Sequence, residues 1–397
     1  MKKPEHWGAG LGGAGLGGAG HEGAGLGGGE APRAGVGTRV SDDGPGDPAR
    51  AGAGGAPNAQ SDRGLPLERR DEHVYAALDL GTNNCRLLIA RPEQRSRRKT
   101  DMLRIVDAFS RIVRLGEGMG NSHRICEPAI ERTLDALDIC REKMSARGVS
   151  RARLIATQAC RAAENGAEFV ERVRERTGLL LEVIDRETEA RLAARGCGSL
   201  ADPRAASILL FDIGGGSTEL VWLTRDASGC ELRHWTSLEL GVVSLAEQFG
   251  GRSVSPAIYQ AMTARALEGL ASFAERTAAE RRCERFHLLG TSGTVTTLAG
   301  VHLGLERYDR WRVDGLWLSD EDATRAIDSL RAMDFDQRAA NGCIGPQRAD
   351  LVLAGCAIFE AIRSVFPASR TRIADRGLRE GMLLEMMEAD GVFARES

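Results

Sequence analysis

Two stretches of this chain repeat one pattern of apolar and polar positions. The first is Leu78-Asp79-Leu80-Gly81-Thr82-Asn83-Asn84-Cys85-Arg86-Leu87. The second is Leu210-Phe211-Asp212-Ile213-Gly214-Gly215-Gly216-Ser217-Thr218-Glu219-Leu220. Each is an apolar run of strand length, an aspartate, a turn of small or polar residues, and a second apolar run. Around the first copy the pattern predicts strands over Val74–Asp79 and Cys85–Ala90, then strand character in two pieces over Met102–Leu115. A helix follows over Glu127–Arg147, with Pro128 in its first turn and Ile130, Leu134, Leu137 and Met144 along one face. Strands at Arg153–Thr157 and Leu181–Ile184 then alternate with helices at Asn165–Arg176, which Gly178 ends, and Glu187–Arg195.

From Ala206 the pattern starts again. Strands are predicted over Ser207–Ile213, Thr218–Leu223 and Glu231–Thr236, then a short helix over Val242–Phe249. Ser255-Pro256 opens a long helix to Arg282. Phe286–Leu289 is a strand, and Gly290-Thr291-Ser292-Gly293-Thr294 turns into a helix ending near Gly300. Further helices start at Ser319-Asp320-Glu321-Asp322, with acidic residues in the first turn, and at Pro346, the latter reaching Phe366. Arg370–Ala374 is a strand and Gly377–Glu388 a closing helix. Strands alternating with helices argue α/β layers, and the restart argues an internal duplication.

Either copy alone also fits a plain β-hairpin with glycine chosen for its turn. An aspartate before a triple glycine, echoed about one domain away, argues for more. Turn residues of this kind tolerate positive φ and let backbone N–H groups approach an anion. A strand-end aspartate beside them can hold a divalent cation through its waters. Two such tips facing each other would make a phosphoryl-transfer site.

Composition narrows the classes. The 397 residues allow two or three domains, and a net charge of −3 gives no argument for nucleic acid or an anionic membrane. The nine cysteines are odd in number and lack metal-type Cys-x-x-Cys pairing, which fits reduced thiols in a cytoplasmic protein. No stretch approaches the roughly 20 apolar residues of a membrane span. Residues 1–72 repeat Gly-Ala-Gly-Leu-Gly-Gly and then turn to Pro, Asp, Arg and Ser, a composition expected to be disordered. Glycine interrupts every apolar residue there, so no signal-peptide core is expected in this stretch. Arg91–Lys99 is a basic run, expected as a solvated turn.

Five motifs in order carry a resemblance to a known family. Asp79-Leu80-Gly81-Thr82-Asn83-Asn84, Glu189-Ala190-Arg191-Leu192, Asp212 to Glu219, Gly290-Thr291-Ser292-Gly293-Thr294 and Asp375-Arg376-Gly377-Leu378-Arg379-Glu380-Gly381 resemble the exopolyphosphatase / guanosine pentaphosphate phosphohydrolase (Ppx/GppA) family over roughly 73–390. The resemblance implies a duplicated actin-like, ribonuclease-H-like α/β fold. Domain I would be 73–205 plus the closing helix 375–390, and domain II 206–374. It also implies Mg²⁺-assisted removal of the terminal phosphate of inorganic polyphosphate, or of the 5′ γ-phosphate of pppGpp. By position, Glu189 matches the glutamate that activates water, a role worth about 10²–10⁴ in rate. Asp79, Asp212 and Glu219 match metal-directing acidic positions. Asn83, Gly214, Gly215, Gly216 and Ser217 resemble the phosphate cradle. Arg161 matches an arginine near the phosphoryl group. Thr291, Ser292 and Gly293 form a turn at a helix N-terminus, a natural anion site. The family also makes a homodimer an expectation.

The chain departs from the family pattern in three places. Asp185-Arg186-Glu187-Thr188 replaces the usual Ser-Gly-x-Glu before the glutamate, which leaves the local shape of the cleft open. Thr82 and Asn84 replace serines, a mild change because both stay polar. The resemblance is to a short form, expected to lack the helical His-Asp phosphohydrolase-like domain of the long members. The seven histidines show no ligand spacing. Trp311 and Trp317 fit a cover over the core better than a guanine-binding face. The expected function is an exopolyphosphatase. A pppGpp phosphohydrolase is the nearest alternative, and a non-catalytic (p)ppGpp-binding regulator is one of another class. A kinase of the wider superfamily would need an adenosine-binding insertion, which is not seen.

Overall fold

The computed structural model describes residues 73–93, 103–226, 229–280 and 285–393. The Gly-rich 1–72 and most of the basic run Arg91–Lys99 lie outside the described residues. Two sheets carry the fold. The first contains β1 (Tyr75–Leu80), β2 (Asn84–Pro92), β3 (Leu103–Ile112), β4 (Arg151–Ala156) and β5 (Glu182–Val183), in the order β3-β2-β1-β4-β5. β1 and β2 are antiparallel, as are β2 and β3, whereas β4 runs parallel to β1 and β5 parallel to β4. The helices of this half are α1 (Met119–Ser122), α2 (Glu127–Ala146), α3 (Gln158–Ala162), α4 (Gly166–Thr177) and α5 (Arg186–Cys197).

The second sheet is built from β6 (Ser207–Ile213), β7 (Thr218–Asp226), β8 (Gly229–Leu238), β9 (Phe286–Thr291), β10 (Trp317–Ser319) and β11 (Arg370–Ala374). Its order is β8-β7-β6-β9-β11-β10, with the same senses as the first sheet and one antiparallel strand added at the edge. Its helices are α6 (Val242–Phe249), α7 (Pro256–Arg276), α8 (Ser292–His302), α9 (Arg310–Val313), α10 (Asp320–Ala332), α11 (Phe335–Ala340) and α12 (Val352–Val365), and α13 (Leu378–Ala389) closes the fold. One strand order used twice is the duplicated actin-like arrangement.

Strands buried on both faces need helices on both. On the first sheet, α2 and α4 cover one face with Leu134, Leu137, Phe169 and Val173. On the other face α13 lays Leu378, Met382 and Met386 against Tyr75, Ala77 and Leu88. The closing helix thus returns to the first half. α5 is shared: Leu192 joins the core of the first sheet, while Ala190, Ala193 and Cys197 pack on Ile208, Leu210 and Val221 of the second. Glycine allows α5 and α13 to come this close, since a Cβ on Gly381 would lie 2.1 Å from the Leu192 carbonyl oxygen. α5 is therefore a wedge between the halves, and its N-terminus opens into the space between them.

Several expected boundaries move. β3 is one strand with a register shift against β2 at Ile89/Ala90, not two pieces. The long helix ends at Arg276, where Thr277 turns its hydroxyl back onto the Phe273 carbonyl. Pro346 does not open a helix: Gly345 sits at φ 75, the segment winds through turns, and α12 begins only at Val352. α1, α3, α9 and α11 are too short to show a periodic pattern. No helix among the described residues is long and apolar enough to cross a membrane.

Candidate active site

β1 and β6 hold equivalent places, and each ends in the turn that the sequence repeats. The turns close identically: Gly81 N donates to Asn84 O at 2.9 Å, and Gly214 N to Ser217 O at 2.9 Å. The tips meet. A Cβ on Gly215 would lie 3.1 Å from Thr82 Cβ and 3.2 Å from Asn83 Cβ, and one on Gly216 would lie 2.8 Å from Thr82 Oγ1. None of Gly214, Gly215 and Gly216 has positive φ. The triple glycine is thus needed for close approach rather than for the positive φ that turn chemistry suggests.

Between the tips lies a cavity of about 80 Å³ walled by Asp79, Thr82, Asn83, Arg86, Gln158, Glu189, Asp212, Gly214–Gly216, Ser217, Glu219 and Ser292. Hairpin register decides which side chains flank the aspartates, because residues directly opposite on antiparallel strands share a face. Arg86 stands opposite Asp79, and Glu219 opposite Asp212. The Arg86 side chain makes no hydrogen bond or ion pair among the described residues, although Asp79 and Asp212 both feel its charge. Glu219 is buried and accepts from Ser237 Oγ at 2.8 Å.

Glu189 enters from the first turn of α5. Asp185 caps that helix, accepting from Thr188 N at 2.7 Å. The departure Asp185-Arg186-Glu187-Thr188 is thereby explained as an ordinary N-cap. Arg161, on α3, lies 2.8 Å from Glu189 Oε2 through Nη1. That nitrogen donates to the Ile184 carbonyl at 2.8 Å, so Glu189 Oε2 has an ion pair but no aligned hydrogen bond. Nη2 of Arg161 donates to Gln158 Oε1 at 3.3 Å, which turns the Gln158 side chain as well.

Four carboxylates crowd this small space, and their proton affinities record it. Burial, then Glu219, pushes Glu189 well above the usual carboxylate range, with Arg161 opposing. Burial, then Glu219, raises Asp212 to about 7, and Arg86 opposes. Burial also raises Asp79, against the pull of Arg86 and Arg379, and raises Glu219. Buried, mutually repelling carboxylates of this kind hold protons more tightly than exposed ones, and a nearby dication would relieve them. Among the described residues, no three His, Cys, Asp or Glu side chains converge closely enough to cage a metal by themselves.

The expected site residues divide. Asp79, Asn83, Glu189, Asp212, Gly214, Gly215, Gly216, Ser217, Glu219 and Ser292 line the cavity, and Arg161 touches it through Glu189. Gly293 lines an adjoining pocket that contains Arg86 and Arg348. Thr291 is not on the wall: its hydroxyl donates to the Arg376 carbonyl at 2.6 Å, tying β9 to the segment before α13. Ser292 keeps a strained φ of 79. Asn83 is 5 % exposed with its Oδ1 unpartnered, so its amide is free to serve a ligand. Sequence reasoning missed Arg86, Gln158 and Arg348. Counting register outward from the first turn would have found Arg86. Of the two tryptophans, Trp317 is covered, with Arg370 3.9 Å above its ring, whereas Trp311 is 84 % exposed and covers nothing.

Comparison with known proteins adds to this geometry. A model of the Ppx/GppA phosphatase family matches residues 94–390. Exopolyphosphatase 2 of Mycobacterium tuberculosis is 31% identical over 296 residues, covering 72% of this chain and 89% of that protein. The bifunctional 3-dehydroquinate synthase/phosphatase of Fusobacterium nucleatum is 28% identical over 324 residues, and the chain spans 47% of that relative's length. Among solved structures, an exopolyphosphatase from Cytophaga hutchinsonii superimposes with a TM-score of 0.72 at 25% identity, covering 80% of this chain and 98% of that one.

Proposed function

The chain belongs to the Ppx/GppA phosphatase family, and from that premise we propose that it releases the terminal phosphate of inorganic polyphosphate by attack of water. The observation that carries the proposal is Glu189, a buried carboxylate paired with Arg161 on the wall between two strand-end turns whose backbones nearly touch, its proton affinity raised by burial. The names of relatives such as exopolyphosphatase 2 support inorganic polyphosphate as the substrate.

In this account the terminal phosphoryl group lies between the two turns. The backbone N–H groups around Gly215 and Gly216, the Asn83 amide and the Ser217 hydroxyl face its oxygens. Glu189 takes a proton from water as the water oxygen bonds to phosphorus and the bridging P–O bond breaks. The electron pair stays with the oxygen of the shortened chain. Arg161 fixes the Glu189 carboxylate, and Arg86 offers a charged donor to phosphate oxygens. The donor set suits Mg²⁺: Asp79 and Asp212, with Glu219 behind, are oxygen ligands of the number Mg²⁺ takes when it keeps several waters. When bound there, it would neutralise phosphoryl charge and let the carboxylates ionise together. Free thiols, eight among the described residues, suit a reducing cytoplasm.

The test is phosphate release from polyphosphates of several lengths, pppGpp and ATP, each with and without Mg²⁺. Release from polyphosphate that needs Mg²⁺ is the expected result. Release from pppGpp alone would move the substrate to the nucleotide, and none from any of them would end the proposal.

A further inference from the structure

Two of the cavities that share walls with the catalytic one differ in character. On one side the catalytic cavity shares Asn83, Asn84, Arg86 and Ser292 with a cavity of about 60 Å³. The charged residues lining that one are Arg86 and Arg348, with no carboxylate. On the other side it shares Thr82, Gln158 and Gly216 with a cavity of about 490 Å³. The charged residues there are Glu239 and Glu247, with His123 and no Lys or Arg on the wall. Both glutamates have partners: Glu239 pairs with Arg186, and Glu247 Oε1 accepts from Gly118 N at 2.9 Å.

Glu189 belongs to the second side, because Arg161 links it to Gln158. In a phosphoryl transfer the attacking and leaving oxygens lie roughly in line, on opposite faces of phosphorus. Water held at Glu189 therefore puts the leaving chain toward Arg86 and Arg348. The cleaved phosphoryl group moves toward its attacker as it inverts, which is toward Gln158 and the large cavity. That cavity has room for the ion and no cation to retain it.

We propose that orthophosphate leaves through the 490 Å³ cavity past Gln158, while the shortened chain stays over Arg86 and Arg348 for the next cut. This rests on the hydrolase reading above and adds a separate product route to it. Gln158 then stands at the partition, and a wall without Lys or Arg offers the departing anion no site to bind.

The test places cations on that wall. Asn121 and Gln248 line the large cavity, are exposed and lie away from the reacting groups. In the N121K/Q248K double variant of the full chain, the inhibition constant of orthophosphate should fall about five- to tenfold, as two added charges near an anion permit. KM for polyphosphate should stay within about twofold. A lower KM with unchanged phosphate inhibition would mean that the substrate chain runs through this cavity, and would overturn the proposal. Unchanged values of both would also overturn it, since nothing anionic would then visit the cavity. If the double variant melts early, A162K, at another exposed position on the same wall, carries the same test. A wild-type protein that releases no phosphate from any anhydride would instead remove the hydrolase premise.

Discussion

The two hairpins that meet at the cleft are the same structure with one decisive difference. In the first, the residue paired across the ladder from the aspartate is Arg86; in the second it is Glu219. One half thus brings a cation to its aspartate and the other a second carboxylate. The consequence is electrostatic. Glu219 is second only to burial in raising Asp212 to about 7, while Arg86 is the strongest influence restraining Asp79. Duplication supplied two tips of one shape, and a single register position set a cation beside the aspartate in one and a second carboxylate beside it in the other.

The largest effect on this arrangement should come from separating the tips. Gly215→Val puts branched carbon where Thr82 and Asn83 already stand, so it should lower kcat/KM by about a hundredfold or more while circular dichroism stays native. Thr82→Ala in the same chain should recover part of the loss, which steady-state kinetics would show. Arg86→Gln removes the cation from the first hairpin. It should lower kcat/KM about ten- to a hundredfold, mostly through KM, because the charge-assisted bond to phosphate proposed above would be lost.

The second hairpin predicts a pH effect. Asp212 rises from an ordinary 3.8 to about 7 on folding, so its contribution to stability is present below about pH 3.8 and is lost as pH climbs through 7. Metal-free protein should therefore lose several degrees of Tm between pH 5 and 8. Glu219→Gln should flatten that slope, and Mg²⁺ at pH 8 should raise the wild-type Tm more than that of Asp212→Asn. Equal Mg²⁺ shifts in both proteins would separate Asp212 from the metal. The smallest effect should come from Arg114→Ala. Its pair with Asp350 joins the halves at 3.0 Å but is about one-third exposed, so the expected change is under about 1 kcal/mol by denaturant melts.

Much of this was legible in the chain. The repeated Asp-turn pattern gave both hairpins, and the restart at Ala206 matches the repeated strand order. Ser255 as a cap appears as expected, accepting from Ile258 N. What stayed hidden was whatever depends on distant partners. Thr291 looked like an anion ligand because its motif sits at a helix start, yet it is bound by a carbonyl 85 positions away. Arg86 was hidden differently: its role follows from register, which local composition does not display. α3 carries Gln158 and Arg161 on five residues, less than two turns, so no periodicity could announce it. The Asp185 cap shows the reverse case, a departure from the family motif that proves locally conventional.

The central claim is that this cleft cuts a terminal phosphoanhydride with Glu189 as the base, and Glu189→Gln tests it most directly. The account predicts that the variant keeps the wild-type fold and polyphosphate affinity while kcat drops by about two decades or more. A variant that turns over near the wild-type rate would contradict it.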